Sequence, residues 1–459
     1  MKGVPCMKRL LLALIMIALL PLTALGTETY TALPEIFAIK VLTDDYTIGK
    51  NEAYVYKEYV KTTNEAVNGE LRAIVDTYDV DLAPTMKMDP SENARRNSRL
   101  DIKTVYYRTG EYYVSTMVLA TVTFDRVQRS ANFETRTYDL ETGKRITLAD
   151  LFPADSPAWD ILISGVRSKL QAVYPGEERD EGAIDMLCTR DAIEYAQFTL
   201  SGMELTLHYP ANLLFRDKTT LIHVRFFYPQ FAGMMTETGA AATDNSRWKM
   251  IAITCDDGPE LTTSVQALNA FRKVGARVTY FIQGEMMEYH TYIFVNQIDQ
   301  NHIFGNHTYN HWSGYSIKSL ERRLYQLDRT DELTLACVGE KARYFRAPGG
   351  TYPPWIEAGM PVPIIQWSLD TYDFKGISPS RITSTIKNQV KPYDIILCHD
   401  TGKYLHQAVP LFGEWLTEHG YMMVTLDELV AAQGVTLEPN VVYWSFRPGE
   451  NSMDRSNLP

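Results

Sequence analysis

Residues 251–260 read IAITCDDGPE: an apolar run with the alternation of a strand, broken off by two adjacent aspartates and a Gly-Pro turn. Neighbouring carboxylates repel, so unless a cation, a basic side chain or a shared proton compensates them, one must take a raised pKa. Such a pair is either solvated or used. Working outward, the chain after Arg247 alternates strands and helices: a strand at Ile251–Thr254, a helical stretch at Ser264–Val274, a strand at Arg277–Ile282, and so on to YMMVTL (421–426). That rhythm predicts an α/β fold with a parallel sheet or barrel. Reactive residues in such folds sit at the C-terminal ends of strands, and Asp256 and Asp257 end the first one.

Upstream, the pattern is different. TVYYRTGEYYVSTMVLATVTF (104–124), split by Thr109-Gly110, and YDLETGKRITLADLF (138–152), turning at Thr142-Gly143, read as antiparallel hairpins. Ser156-Pro157 offers a helix start ahead of Ile161, Val166, Leu170 and Val173, and FTLSGMELTLHYP (198–210) returns to strand alternation. This half is expected to be α+β, residues 27–235, with room for two subdomains. TETGAAATDNS (236–246) breaks the composition and is the best linker candidate. Residues 247–435 then form the α/β domain and 436–459 a C-terminal extension.

The first 26 residues have a basic start, eleven apolar residues from Leu10 to Leu20, and the small-residue pattern Ala24-Leu25-Gly26. This layout predicts a secretory signal peptide or an uncleaved N-terminal anchor, and hence a secreted or cell-surface protein. The apolar run is short of the ~20 residues of a membrane-spanning helix. Loss of Lys2, Lys8 and Arg9 leaves 42 basic against 56 acidic residues, a net charge of −14, which argues against nucleic acid as a partner. Cys188, Cys255, Cys337 and Cys398 are widely spaced without any C-x-x-C and read as small core residues, with a Cys255–Cys398 bridge as the lesser alternative.

Seven of the nine histidines follow residue 247, and two stand four apart in GNHTYNHW, His307 and His311. On a helical turn such a pair shares a face and can reach one ion. Surface helices carry the same spacing by chance; the aspartate pair upstream gives it weight. Thr308 stands where the zinc-protease pattern H-E-x-x-H has Glu, so any general base comes from elsewhere. Asp256 and Asp257 supply one base and one ligand.

Three further segments end strands in the same way: KARYFRAPGGTY (341–352), IIQWSLDTYDF (364–374) and DIILCHDT (394–401). In order and spacing the five segments resemble the five motifs of the polysaccharide deacetylase family, the NodB-type carbohydrate esterases. CDDGP matches the aspartate-pair motif, HTYNH the two-histidine motif, RAPGG the Arg-Pro loop, DTYDF the fourth motif and LCH the last. The resemblance implies a distorted (β/α) barrel and a metal-dependent hydrolase acting on linear amides. By it, Asp257, His307 and His311 hold a divalent metal, zinc first, with cobalt or manganese as alternatives. Asp256 is the base and Arg346 its partner; Pro348 and Gly349 shape the oxyanion loop; His399 is the general acid and Asp370 orients it. Phe374, Leu397 and Tyr352 line the substrate pocket. Cys255, Ala347 and Phe374 depart from the usual Phe, Pro and Trp of these motifs, which touches substrate fit rather than the reaction.

The bland reading covers the remaining candidates. His290, His302, His406 and His419 read as solvated, Asp373 and Asp400 as loop caps, and His208 and His223 as structural. Trp312, Tyr352 and Trp367 are as well explained by core packing as by sugar stacking. The N-terminal half resembles, more faintly, the extracellular domain that precedes deacetylase domains in Gram-positive wall enzymes and occurs in a lysozyme-sensing anti-sigma factor. That implies a wall component or a protein as its ligand. The leading expectation is removal of acetyl groups from N-acetylated amino sugars, with peptidoglycan ahead of other N-acetylglucosamine polymers. An O-acetyl esterase and a non-catalytic wall-binding or lysozyme-sensing protein are the alternatives. The presence of Asp256, Asp257, His307, His311, Arg346 and His399 speaks against the last.

Overall fold

The Tyr-, Val- and Thr-rich segments of the N-terminal half pair as their alternation requires. In the computed structural model, which describes residues 39–48, 53–83, 98–124, 127–312, 319–350 and 360–449, they form a six-stranded sheet. Its order is β1 (Lys40–Ile48), β2 (Ala53–Lys61), β3 (Ser98–Thr109), β4 (Tyr113–Phe124), β5 (Val127–Asp139) and β6 (Arg145–Ile146). Neighbours are antiparallel except β2 and β3, which run parallel. A parallel pair needs a crossover, and the helix Glu65–Leu82 supplies it, capped by the Asn64 side chain and burying Val67, Leu71 and Val75 at four-residue spacing. The expected leader, residues 1–26, and Tyr352 lie outside the described residues.

The helix predicted after Ser156-Pro157 spans Ala158–Ala172 and packs beside a second sheet of β7 (Phe198–Leu200), β8 (Glu204–Pro210) and β9 (Leu221–Phe227). The expected linker is not one. Thr236 caps a helix, Glu237–Thr243, whose Ala242 is fully buried. The small residues that suggested flexibility serve close packing instead: a Cβ on Gly239 would lie 2.3 Å from the Leu151 carbonyl oxygen. Asn245 is buried too, accepting from the Gly110 N–H and donating to the Gly202 carbonyl.

The C-terminal half is a distorted barrel. β10 (Lys249–Asp256) is flanked by β11 (Val278–Ile282), β15 (Ile395–His399) and β16 (Tyr421–Val424), all parallel to it. β12 (Ile303–Asn306) extends the sheet past β11, and β14 (Leu369–Asp370) lies along β15. Beyond β12, Phe345 bridges to β13 (Ile364–Ile365), which pairs with β17 (Val442–Tyr443). An antiparallel bridge from Asp394 to Ser445 brings the path back to the start of β15. The expected C-terminal extension therefore contributes a barrel strand. β10 is buried along nearly its whole length, as a parallel strand covered on both faces should be.

Sheet and barrel are joined by buried charge. Arg272 forms a two-pronged pair with Glu58 of β2, 2.7 and 2.8 Å, both side chains fully buried. Arg277 reaches Glu204 of β8 at 3.1 Å and Glu428 at 3.0 Å. Tyr106 and Tyr107 of β3 donate to the carbonyls of Lys273 and Gln300. All four cysteines of the described residues are free thiols, although Cys255 and Cys398 stand in register on β10 and β15.

Candidate active site

The C-terminal ends of the barrel strands converge on one rim. β10 ends in Asp256 and Asp257, β12 leads into His307, the Phe345 bridge into Arg346, β14 into Asp370, and β15 ends in His399. Asp256 and His399 are in register on neighbouring strands. Successive residues of a strand point oppositely, so the two aspartates could not share one direction without a break. Asp257 provides it, with a φ of 77°. Gly258 follows, lying against the buried Asp400; a Cβ there would sit 2.2 Å from that carboxylate.

Asp257 Oδ1 lies 3.4 Å from His307 Nε2 and 3.2 Å from His311 Nε2, and the three residues form a group able to hold a metal. The two histidines are not on a helical turn. They sit on a loop after β12 that brings them together through positive φ at Thr308 (67°) and His311 (57°). The donor set fits a divalent cation. His307 Nδ1 lies 2.8 Å from the Arg346 carbonyl, a bond only its N–H can make, so Nε2 presents its lone pair to the cluster. Asp257 Oδ1 is buried without a hydrogen-bond donor, a costly state for a carboxylate unless a cation meets it.

Asp256, 3% exposed, is held differently. Arg346 Nη1 donates to its Oδ1 at 2.7 Å and to Thr254 Oγ1 at 2.8 Å, while Nε and Nη2 donate to the carbonyls of Ile365 and Gln366. The guanidinium also stacks 3.9 Å from the Phe281 ring centroid. All three of its nitrogens donate, in four hydrogen bonds, which fixes the fork in place.

His399 departs from expectation in one respect. Its partner is Asp373, not Asp370: Asp373 Oδ1 accepts from His399 Nδ1 at 2.8 Å, and Oδ2 accepts from the His399 backbone N–H at 2.8 Å. The chain reverses at Tyr372 (φ 57°), which aims Asp373 back at β15, while Asp370 accepts from the Tyr372 N–H. Burial pulls the imidazole down, but the Asp373 bond and charge, aided by Asp256 and Asp257, push it up to about 9. Burial raises the Asp370 carboxyl above its ordinary range, and it carries Asp400 up to about 7.

Around this cluster, Phe374 stands 57% exposed with its ring edge-on to His399 at 5.5 Å. Leu397 is buried two residues before His399, on the same face of β15. Pro348 is buried in the turn Pro348–Gly350, and Gly349, at φ 65°, faces open space. Trp367 packs on Gly350, where a Cβ would lie 2.4 Å from the indole. His302 is not solvated: it is 1% exposed, and its Nδ1 accepts from the Val278 N–H. Asp373 and Asp400, expected as loop caps, are fully buried beside the site. The clue available for Asp373 was its place in DTYDF beside the aromatic wall; nothing local distinguished Asp400.

The polysaccharide deacetylase family model matches residues 243–359. A peptidoglycan-N-acetylglucosamine deacetylase of Bacillus cereus is 31% identical over 192 residues, 40% of this chain and 88% of that protein. This chain belongs to the polysaccharide deacetylase family. Two other family members show how far the likeness reaches. The peptidoglycan-N-acetylmuramic acid deacetylase PdaC of Bacillus subtilis is 26% identical over 181 residues, 39% of this chain and only 38% of that protein. The peptidoglycan-N-acetylglucosamine deacetylase PgdA of Listeria monocytogenes is 26% identical over 298 residues, 63% of each chain, a stretch longer than the deacetylase barrel alone.

Proposed function

We propose that this polysaccharide deacetylase is a secreted or surface-attached, metal-dependent enzyme that removes acetyl groups from N-acetylated amino sugars of peptidoglycan. One observation carries the reading: a buried carboxylate locked to a guanidinium (Asp256–Arg346) and an imidazole charged by a second carboxylate (His399–Asp373) flank one Asp-His-His cluster. Asp257, His307 and His311 would hold the metal, zinc by preference. When bound there, it supplies a Lewis acid that polarises the acetyl carbonyl and acidifies a water. Asp256, paired with Arg346, accepts the proton of the attacking water. The Gly349 N–H would be the donor to the developing oxyanion. His399, kept protonated by Asp373, donates to the departing amine, and the exposed Phe374 ring walls the acetyl group. The peptidoglycan assignment draws on the substrates named for the relatives.

The test is to incubate purified protein, with and without added zinc, with peptidoglycan, chitin oligomers and acetylated xylan. Zinc-dependent release of acetate with appearance of free glucosamine or muramic amines in peptidoglycan, identified by mass spectrometry, is the expected result. Acetate from xylan alone would replace this reading with an O-acetyl esterase.

A further inference from the structure

A second cavity lies in the N-terminal half. It has a volume of about 280 Å³ and opens between the end of β5, β6 and the segment Glu194–Phe198. Small-molecule sites run from about 300 Å³ upward, so it suits about one sugar ring. Its charge is unusual for so acidic a protein. Two guanidiniums line it, Arg136 and Arg145; burial first, and then the Arg145 charge, disfavours the charge on Arg136. Arg136 is tethered, pairing with Glu134 and donating to the Thr135 carbonyl. The Arg145 side chain has no ion pair or hydrogen bond among the described residues. The acids nearby are spoken for: Glu194 pairs with Arg190 and Asp150 with Lys144. Beside the guanidiniums stands Tyr195, 83% exposed, the most exposed large hydrophobic among the described residues.

We propose that this cavity binds a saccharide carrying an oxyanion. The Arg145 fork takes the anion, with Arg136 adding field, and the sugar face lies on Tyr195. A guanidinium with no side-chain partner among the described residues, beside a second one, offers paired N–H groups that match a planar or tetrahedral oxyanion. An exposed aromatic ring offers an apolar face with a polar tip, suited to a sugar ring. The site would hold the polymer apart from the barrel rim, and it does not depend on the catalytic roles proposed above.

Binding to the full chain can be measured by calorimetry and saturation-transfer NMR, using three probes on one ring: N-acetylmuramic acid, N-acetylglucosamine 1-phosphate and neutral N-acetylglucosamine. All are run in an Asp257→Asn background so that the barrel site does not contribute. One or both charged sugars should bind at least 10-fold more tightly than the neutral one, and which of them does so identifies the anion. Arg145→Gln and Tyr195→Ala should each weaken binding by 10-fold or more. In the wild-type background, both should leave deacetylation of a short chito-oligomer unchanged. Equal binding of the neutral sugar, or binding unaltered in Arg145→Gln, overturns the proposal. Equal affinity for inorganic phosphate removes the sugar from it.

Discussion

At the scale of single residues, the adjacent aspartates have separable jobs. Asp257 faces two imidazoles and Asp256 a guanidinium. His307→Ala or His311→Ala should therefore lose bound zinc along with activity. Asp256→Asn should keep the metal while turnover falls about 10²–10⁴-fold, the span of a lost general base. Elemental analysis beside kinetics separates the two, and equal metal loss in Asp256→Asn and Asp257→Asn would show the pair divided wrongly. The acid is read from pH. His399 must be protonated when the amine leaves, and its pKa of about 9 places the alkaline limb of the rate profile above the ~6.5 of a free histidine. Asp373→Asn should move that limb toward lower pH and slow the reaction, with metal content unchanged. Asp370→Asn, which lacks the hydrogen bond and acts on His399 only through charge, should move the limb less than Asp373→Asn does.

At the scale of elements, β8 and β9 carry a buried histidine pair. His223 Nε2 donates to the Ile298 carbonyl, so its Nδ1 is free to accept from His208 Nδ1–H at 2.8 Å, and His208 Nε2 accepts from the Thr199 hydroxyl. Both rings are satisfied only when neutral. Burial, with Arg225 and Arg277 near both rings, holds both far below 6.5. A histidine depressed in the folded state contributes stability that is complete above its unfolded pKa and lost as pH falls below it. Each should cost up to about 1.4 kcal/mol per pH unit below ~6.5. Urea unfolding at pH 7.5 and 5.5 should show this loss, and a His208→Gln/His223→Gln variant should be weaker at pH 7.5 but flatter between the two. A slope unchanged in that variant would place the acid sensitivity elsewhere. His399 acts in the opposite sense, its contribution lost as pH rises toward 9.

At the scale of the whole molecule, the N-terminal sheet is bound to the barrel by desolvated charge. Glu58 and Arg272 are both without solvent exposure. Removing one partner of such a pair strands the other and costs about 3–5 kcal/mol. Glu58→Ala should lose that much in denaturant unfolding, whereas Glu111→Ala, which breaks an exposed pair with Arg247, should cost under about 1 kcal/mol. Similar losses in both variants would mean that the sheet contributes little to the stability of the barrel.

The strand-ending carboxylates, the paired histidines and the Arg-Pro loop were legible in the sequence because each is a local pattern: residues a few positions apart, set where an apolar run stops. With the alternation of strands and helices around them, they determined the α/β half, the order of its parts and most of the rim. The tertiary structure decided what lies between distant segments. Asp370 and Asp373 differ by three positions in one motif, and only the reversal at Tyr372 selects which one reaches His399. Small residues at 237–243 read as a linker because composition does not say whether smallness serves freedom or close approach; Leu151 opposite Gly239 answers that. His302 reads as solvated in the sequence, yet it is buried because the barrel closes over it, and the structural reading of His208 and His223 could not say that they bond each other. Burial and partnership are properties of chain segments far apart in sequence, and no local periodicity encodes them.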